Sequence, residues 1–305
     1  VGGWPALTYS DWSATCDTLH AHTQVLGKLA VELAPPEPQL QHAALRLSVR
    51  GWETQALPAR DGSGAIVAAL DLRRHEAVVE HSDGREARIP LTPDQPVAEI
   101  TRDVLDAVDD LAGAVEINPA PQEVPWDTPL DEDREHATYD PEQVATYFEA
   151  ATRAALVLAE FRAPFRGRSS PVNAWWGTFD LAVHFYSGES VEPPSDDFIF
   201  RNSGDAQQVS IGWWPGDRAH ERSAFFALAY PTPDSFGGAD LSPAPGAWDA
   251  EMGEYLLAWD EIRDSPDAHS RALDFARVAF RHACHACDWD PALAATAQGV
   301  PPPIH

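Results

Sequence analysis

Sulfur is scarce in this 305-residue chain: one methionine, Met252, and three cysteines, Cys16, Cys284 and Cys287. So few cysteines, and an odd number, argue against a disulfide framework and for a reducing compartment, so a cytoplasmic location is expected. Long apolar runs are missing too; none approaches the ~18–20 residues that cross a bilayer. Positive charge is sparse, with 21 Lys and Arg against 48 Asp and Glu, a formal net charge of -27. A surface that acidic repels phosphate backbones and anionic lipid heads, which speaks against nucleic acid and membranes as partners. Its plainest use is solubility. The opening VGGWPALTYSDW has neither the basic nor the apolar region of a signal peptide and no initiator Met. The numbering is therefore expected to begin after a trimmed leader or tag.

Cofactor signatures are also absent. There is no GxGxxG, no P-loop and no HExxH, so nicotinamide, nucleoside triphosphate and zincin chemistry lack support and no conventional cofactor is expected. Gly62-Ser63-Gly64 falls in a hairpin turn instead of between strand and helix, which rules out a nucleophile elbow.

The remaining composition, 44% hydrophobic and 23% charged, is that of a globular protein with core enough for one large domain or two ordinary ones. Apolar residues at helical spacing, Trp12, Leu19, Leu26, Leu29 and Leu33, predict a helix over 10–33, stopped by the prolines from Pro35. Strand-like runs follow at 43–50, 64–72, 76–82 and 86–91, with turns at DGSG and Ser82-Asp83-Gly84. A helix at 97–112 and a short strand at Val115–Ile117 complete this stretch. After a proline- and acid-rich segment the plan restarts: a helix from Asp140 to Phe161, strand-like runs at 173–187, 206–214, 223–230 and 247–259, and a closing helix over 267–287.

The expected fold is thus α+β, two similar helix–four-strand–helix halves with antiparallel sheets and a cleft between or beneath them. The first half spans 1–118, a connector 119–138, the second half 139–290 and a C-terminal tail 291–305. Internal duplication would explain why Tyr9 and Tyr139 stand in equivalent places, each just before a helix.

The segments WPALTYSDW, TCDTLHAHTQVLGK, DEDREHATYD, SPVNAWWGTFDLAVHFYSG, IGWWPG and AYPTP resemble, taken together, a large bacterial family of unknown function. The resemblance runs from Trp4 to about Trp259 and supplies no activity. It implies two departures. Relatives often carry His at the position of Asn173 and His-Glu at Gln207-Gln208, and amides are poor ligands for transition metals. A metal site carried over from the family is therefore weakened here, and none is expected.

Candidate chemistry begins on the first helix. Cys16, His20 and Gln24, four residues apart, form one polar stripe. His20 is placed to act as acid or base with Gln24 orienting it; the plainer account is a buried histidine satisfied by a carbonyl. Read as one strand, residues 173–187 put Trp176, Thr178, Asp180, His184 and Tyr186 on a single face. A half-polar aromatic wall suits a small-molecule pocket, and partial burial would raise the Asp180 carboxyl toward the range of a general base. The plainer account pairs Asp180 with an arginine.

The expected catalytic residues are therefore His20 and Asp180. Gln24, Asn173, Trp176, Thr178, His184, Gln208 and Trp214 are expected to contact a small-molecule ligand. The function expected is acid/base chemistry on a small organic molecule in a tryptophan-lined cleft. Two alternatives stand beside it: a binding protein without catalysis, or a metal enzyme in which His42, His75 or His184 converges with His20. HACHAC at 282–287 offers a single CxxC, a weak zinc signal without a second pair. Glu251 and Glu254 are read as solvated acids at a hairpin turn.

Overall fold

Val97, Ile100, Val104, Val108 and Leu111 recur at three- and four-residue intervals, and all are buried along one face of a helix over Val97–Ala112. This helix, α2, is one of six in a computed structural model that describes residues 3–299. The others are α1 (Tyr9–Leu33), α3 (Pro141–Arg162), α4 (Phe198–Ser203), α5 (Ala268–Ala286) and α6 (Pro291–Ala295). Twelve strands form two antiparallel sheets of six, so the chain is α+β.

The first sheet holds β1 (Arg46–Leu47), β2 (Gly51–Glu53), β4 (Ala65–Asp71), β5 (Glu76–His81) and β6 (Glu86–Pro90) in sequential order, with β3 (Leu57–Pro58) paired to β4. Strands β4 to β6 lie where the turn signals put them. The run at 43–50 differs: within this sheet Arg46–Leu47 alone pairs, and the partner strand starts at Gly51, whose φ of 149° suits glycine alone. Val115–Ile117 stays outside any ladder because no neighbouring strand pairs with it.

In the second sheet the order is β11 (Ala247–Asp249), β12 (Glu254–Ala258), β10 (Ala224–Tyr230), β9 (Ala206–Trp214), β8 (Asp180–Ser190) and β7 (Asn173–Trp175). The expected strand 173–187 is therefore two strands with a turn at 176–179. That break takes residues 176–179 out of the alternation a continuous strand would impose.

The chain forms two compact units. One comprises Tyr9–Phe148 and Ala174–Asp180, and so holds the first sheet, α1, α2 and the start of α3. Its core includes Leu19, Leu26, Leu29, Trp52, Leu70, Val79 and Val108, each 1% exposed or less. Residues 174–180 join it through a reciprocal pair of hydrogen bonds between Leu45 and Ala174, 3.0 and 2.9 Å.

The other unit comprises the residues up to Thr8, Glu149–Asn173 and those from Leu181 on. Its core is aromatic. Phe185 packs on Phe161, Phe165 and Phe280 at 4.7 to 5.3 Å between ring centroids, and Trp259 packs on Trp4, Trp213 and Phe225. Among the described residues, no helix is long and apolar enough to cross a membrane.

Candidate active site

Helix α1 is buried nearly all round, yet it carries Asp17, His20, His22, Gln24 and Lys28. Buried polar groups are retained only with partners, because each unmet one costs on the order of 1–3 kcal/mol. Asp17 accepts the Tyr9 hydroxyl at 2.8 Å. The other partners lie mostly on two segments far away in sequence: the proline-rich stretch 119–138 and the turn 176–180.

His20, Gln24 and Lys28 stand four residues apart and meet those segments in turn. The His20 Nε2 hydrogen reaches two carbonyl oxygens, Trp176 at 2.9 Å and Gly177 at 3.0 Å. Both are acceptors, so Nε2 is the donor and the lone pair of a neutral ring falls on Nδ1. Gln24 clasps residue 122 at two points: its Nε2 donates to the Gln122 carbonyl and its Oε1 accepts the Gln122 N–H, each at 2.9 Å. Lys28 donates to the Ala120 carbonyl at 2.7 Å and lies over the Trp176 ring at 5.4 Å. Burial brings the Lys28 amine down to about 8.

The turn is shaped by its packing. Phe179 sits at φ 60° and its ring is stacked by His20 at 4.8 Å and by Trp52 and Tyr147, each at 5.2 Å. The Trp176 indole donates to the Ala43 carbonyl at 3.1 Å and covers Gly27 so closely that a methyl there would overlap it. Gly27→Ala is therefore expected to destabilise by about 1–3 kcal/mol, measured by chemical denaturation. A loss under about 0.5 kcal/mol would mean that the indole yields freely.

Asp180 follows the turn, 7% exposed, and accepts the hydroxyl of the exposed Thr178. Burial raises its carboxyl to about 7, and the nearby Glu123 carboxylate adds to the rise. Glu123 comes from the 119–138 stretch. Its own φ of 57° turns the side chain over Gly177, where any β-carbon would collide with it. Trp126, from the same stretch, meets the His20 ring edge-on at 5.7 Å and packs on His136 at 4.7 Å.

The structure thus brings His20, Gln24, Trp176, Thr178 and Asp180 together in one unit. Asn173, His184, Gln208 and Trp214 belong to the other. Asn173 is wholly buried. His184 Nδ1 pairs with the Ser210 hydroxyl at 2.6 Å, and burial takes its imidazole down to about 4. Gln208 donates to the Ser203 carbonyl at 3.1 Å, and Trp214 packs on His220 and Phe226.

His42 and His75 are engaged elsewhere, with the Glu37 N–H at 3.0 Å and the Tyr139 hydroxyl at 3.1 Å. At the end of α5, His282 pairs with the Phe236 carbonyl, and burial pushes the Cys284 and Cys287 thiols up. Among the described residues, no group of three or more His, Cys, Asp or Glu side chains is placed to hold a metal ion.

Glu123, Trp126, Asp133 and His136 escaped the sequence reading. Their one local signal is an aromatic and an Asp-x-x-His spacing inside a stretch whose composition reads as a spacer.

No curated protein and no solved structure matches the chain. A family does, over residues 4–296: the chain belongs to the family of unknown function DUF5996.

Proposed function

We propose that the chain is an enzyme that moves a proton on a small organic molecule, with Asp180 as general acid and base and His20 as its partner, and without a conventional cofactor. One observation carries this reading. Asp180 is a buried carboxyl raised to about 7, next to an exposed hydroxyl and a second carboxylate, Glu123. A group poised near neutrality both takes and returns a proton efficiently. His20 borders the same turn, its ring fixed by two carbonyls on one edge and by Phe179 on one face. A cytoplasmic setting belongs to this reading, supported by three buried cysteines, none of them in a disulfide. So does a small-molecule partner in place of nucleic acid, supported by the net charge of -27.

The test is proton NMR of a metabolite panel in D2O with the full chain. Exchange of a substrate proton or appearance of a product is expected with the natural protein, and Asp180→Asn and His20→Gln should each slow it by about 10²-fold or more. A panel member that binds, seen by tryptophan fluorescence, yet comes back unexchanged and unchanged would favour a binding protein without catalysis. Turnover unaffected by Asp180→Asn would remove Asp180 from the chemistry.

A further inference from the structure

The segment 119–138 contains a second arrangement of ionisable groups, held as firmly as the first. Asp133 is wholly buried and its carboxylate accepts three hydrogen bonds: the N–H groups of Glu135 and His136 at 3.0 Å each, and His136 Nδ1 at 2.7 Å. The loop is pinned in turn by helix α2. That helix starts after Pro96 with no side-chain cap, so its first N–H groups need other acceptors. The backbone carbonyls of His136 and Asp133 supply them, accepting from Val97 at 2.9 Å and Ala98 at 2.8 Å.

This geometry fixes the tautomer of His136. A carboxylate only accepts, so Nδ1 carries the hydrogen and the lone pair of the neutral ring lies on Nε2. Among the described residues, nothing hydrogen-bonds Nε2, and the side chain is 13% exposed. Two further atoms nearby lack partners. The Trp126 indole N–H is buried and unmet, although its ring touches both His136 and His20. His22, 2% exposed on α1, has an unmet Nδ1 and lies close enough to Asp133 and His136 for both to act on it. Unmet buried polar atoms are uncommon in folded chains and mark places where a ligand or water completes the set.

We propose that Asp133 and His136 form a second acid/base dyad of this site. His136 Nε2 takes a proton from a hydroxyl of a small polar substrate that also hydrogen-bonds Trp126 Nε1 and His22 Nδ1. In that step the substrate O–H bond breaks, an N–H bond forms at Nε2 and the electron pair stays on the substrate oxygen. Asp133 remains ionised and stabilises the imidazolium, a positioning role. The proposal rests on the reading of this unit as a proton-transfer enzyme.

Its test needs no substrate. Long-range 15N–1H NMR of the full chain should show His136 as the Nδ1–H tautomer. Diethyl pyrocarbonate, followed by peptide mass mapping, should acylate His136 on the order of tenfold faster than His81, whose side chain is wholly buried with both ring nitrogens engaged. Asp133→Asn presents an amide donor to Nδ1, so the proton should move to Nε2 and acylation of His136 should fall by about tenfold or more. Should that variant fail to fold, the measurements on the natural chain still decide. An Nε2–H tautomer there, or a His136 no faster than His81, overturns the dyad. Neither result touches Asp180, whose own variant reports separately on the first reading.

Discussion

Asp180→Asn should match the natural chain in unfolding free energy near pH 4 and exceed it by up to about 4 kcal/mol at pH 8. The sign follows from the direction of the shift. The folded carboxyl is raised from 3.8 to about 7, mainly by burial and further by Glu123, so the folded state holds its proton more tightly than the unfolded chain does. Its contribution to stability is complete below pH 3.8. It declines as pH rises, because the unfolded chain ionises first, and is gone above about 7. Asparagine mimics the protonated acid, still accepts the Thr178 hydroxyl and has no ionisation to resist.

Urea denaturation of both proteins at intervals from pH 4 to 8 measures the difference directly. A constant difference across that range would mean that Asp180 is ionised in the fold throughout, and its role as an acid near neutrality would fall with it. A more stable variant that has lost turnover would fit a residue retained for chemistry at the fold's expense.

How much of this was legible depended on the range of the interactions involved. Helix α2 could be read from its apolar stripe alone, and β4 to β6 from strand-like runs with turn signals at DGSG and Ser82-Asp83-Gly84, because local pattern and burial agree there. The break at 176–179 was hidden. Trp175, Gly177 and Phe179 keep the two-residue rhythm of a strand, and nothing local announces that Phe179 takes φ 60°. Its ring is held by Trp52 and Tyr147, both more than 30 residues earlier in the chain. Gly177 was the available hint, since a glycine within a strand pattern often marks a bend or close approach, and here Glu123 occupies the space a side chain would need.

The site divides along the same line. His20 and Gln24 were singled out by their spacing, and Lys28 continues that spacing by one more turn. Glu123, Trp126, Asp133 and His136 were not found, because proline and acid at 119–136 suggest a solvated linker. The fold instead buries Leu130 and Asp133 completely and ties the stretch to α1 through the buried side chains of Gln24 and Lys28. Those buried polar residues were the signal: a helix interior that carries them must be matched by acceptors from elsewhere in the chain.

Phe179→Ala is expected to lower the unfolding free energy by about 3–5 kcal/mol, the range for removing a buried phenylalanine. Phe179 is 3% exposed and stacks against three rings, so truncation leaves a cavity that Trp52, Tyr147 and His20 can fill only by moving. Alanine at φ 60° keeps the backbone strain while giving up the packing that outweighs it. Phe179→Leu, close in volume but without the stacking, should lose less, about 1–1.5 kcal/mol.

The functional consequence runs through Asp180. A cavity behind the turn admits water beside the carboxyl, which weakens the burial that raises it. The pH dependence of stability between 4 and 8 should therefore be shallower in Phe179→Ala than in the natural chain. Denaturant titrations over that pH range give both quantities in one experiment. A loss below about 1 kcal/mol with the pH dependence intact would show that the backbone ties of the turn, the Phe179 N–H to the Trp175 carbonyl and the Leu45–Ala174 pair, hold Asp180 in place without the aromatic stack.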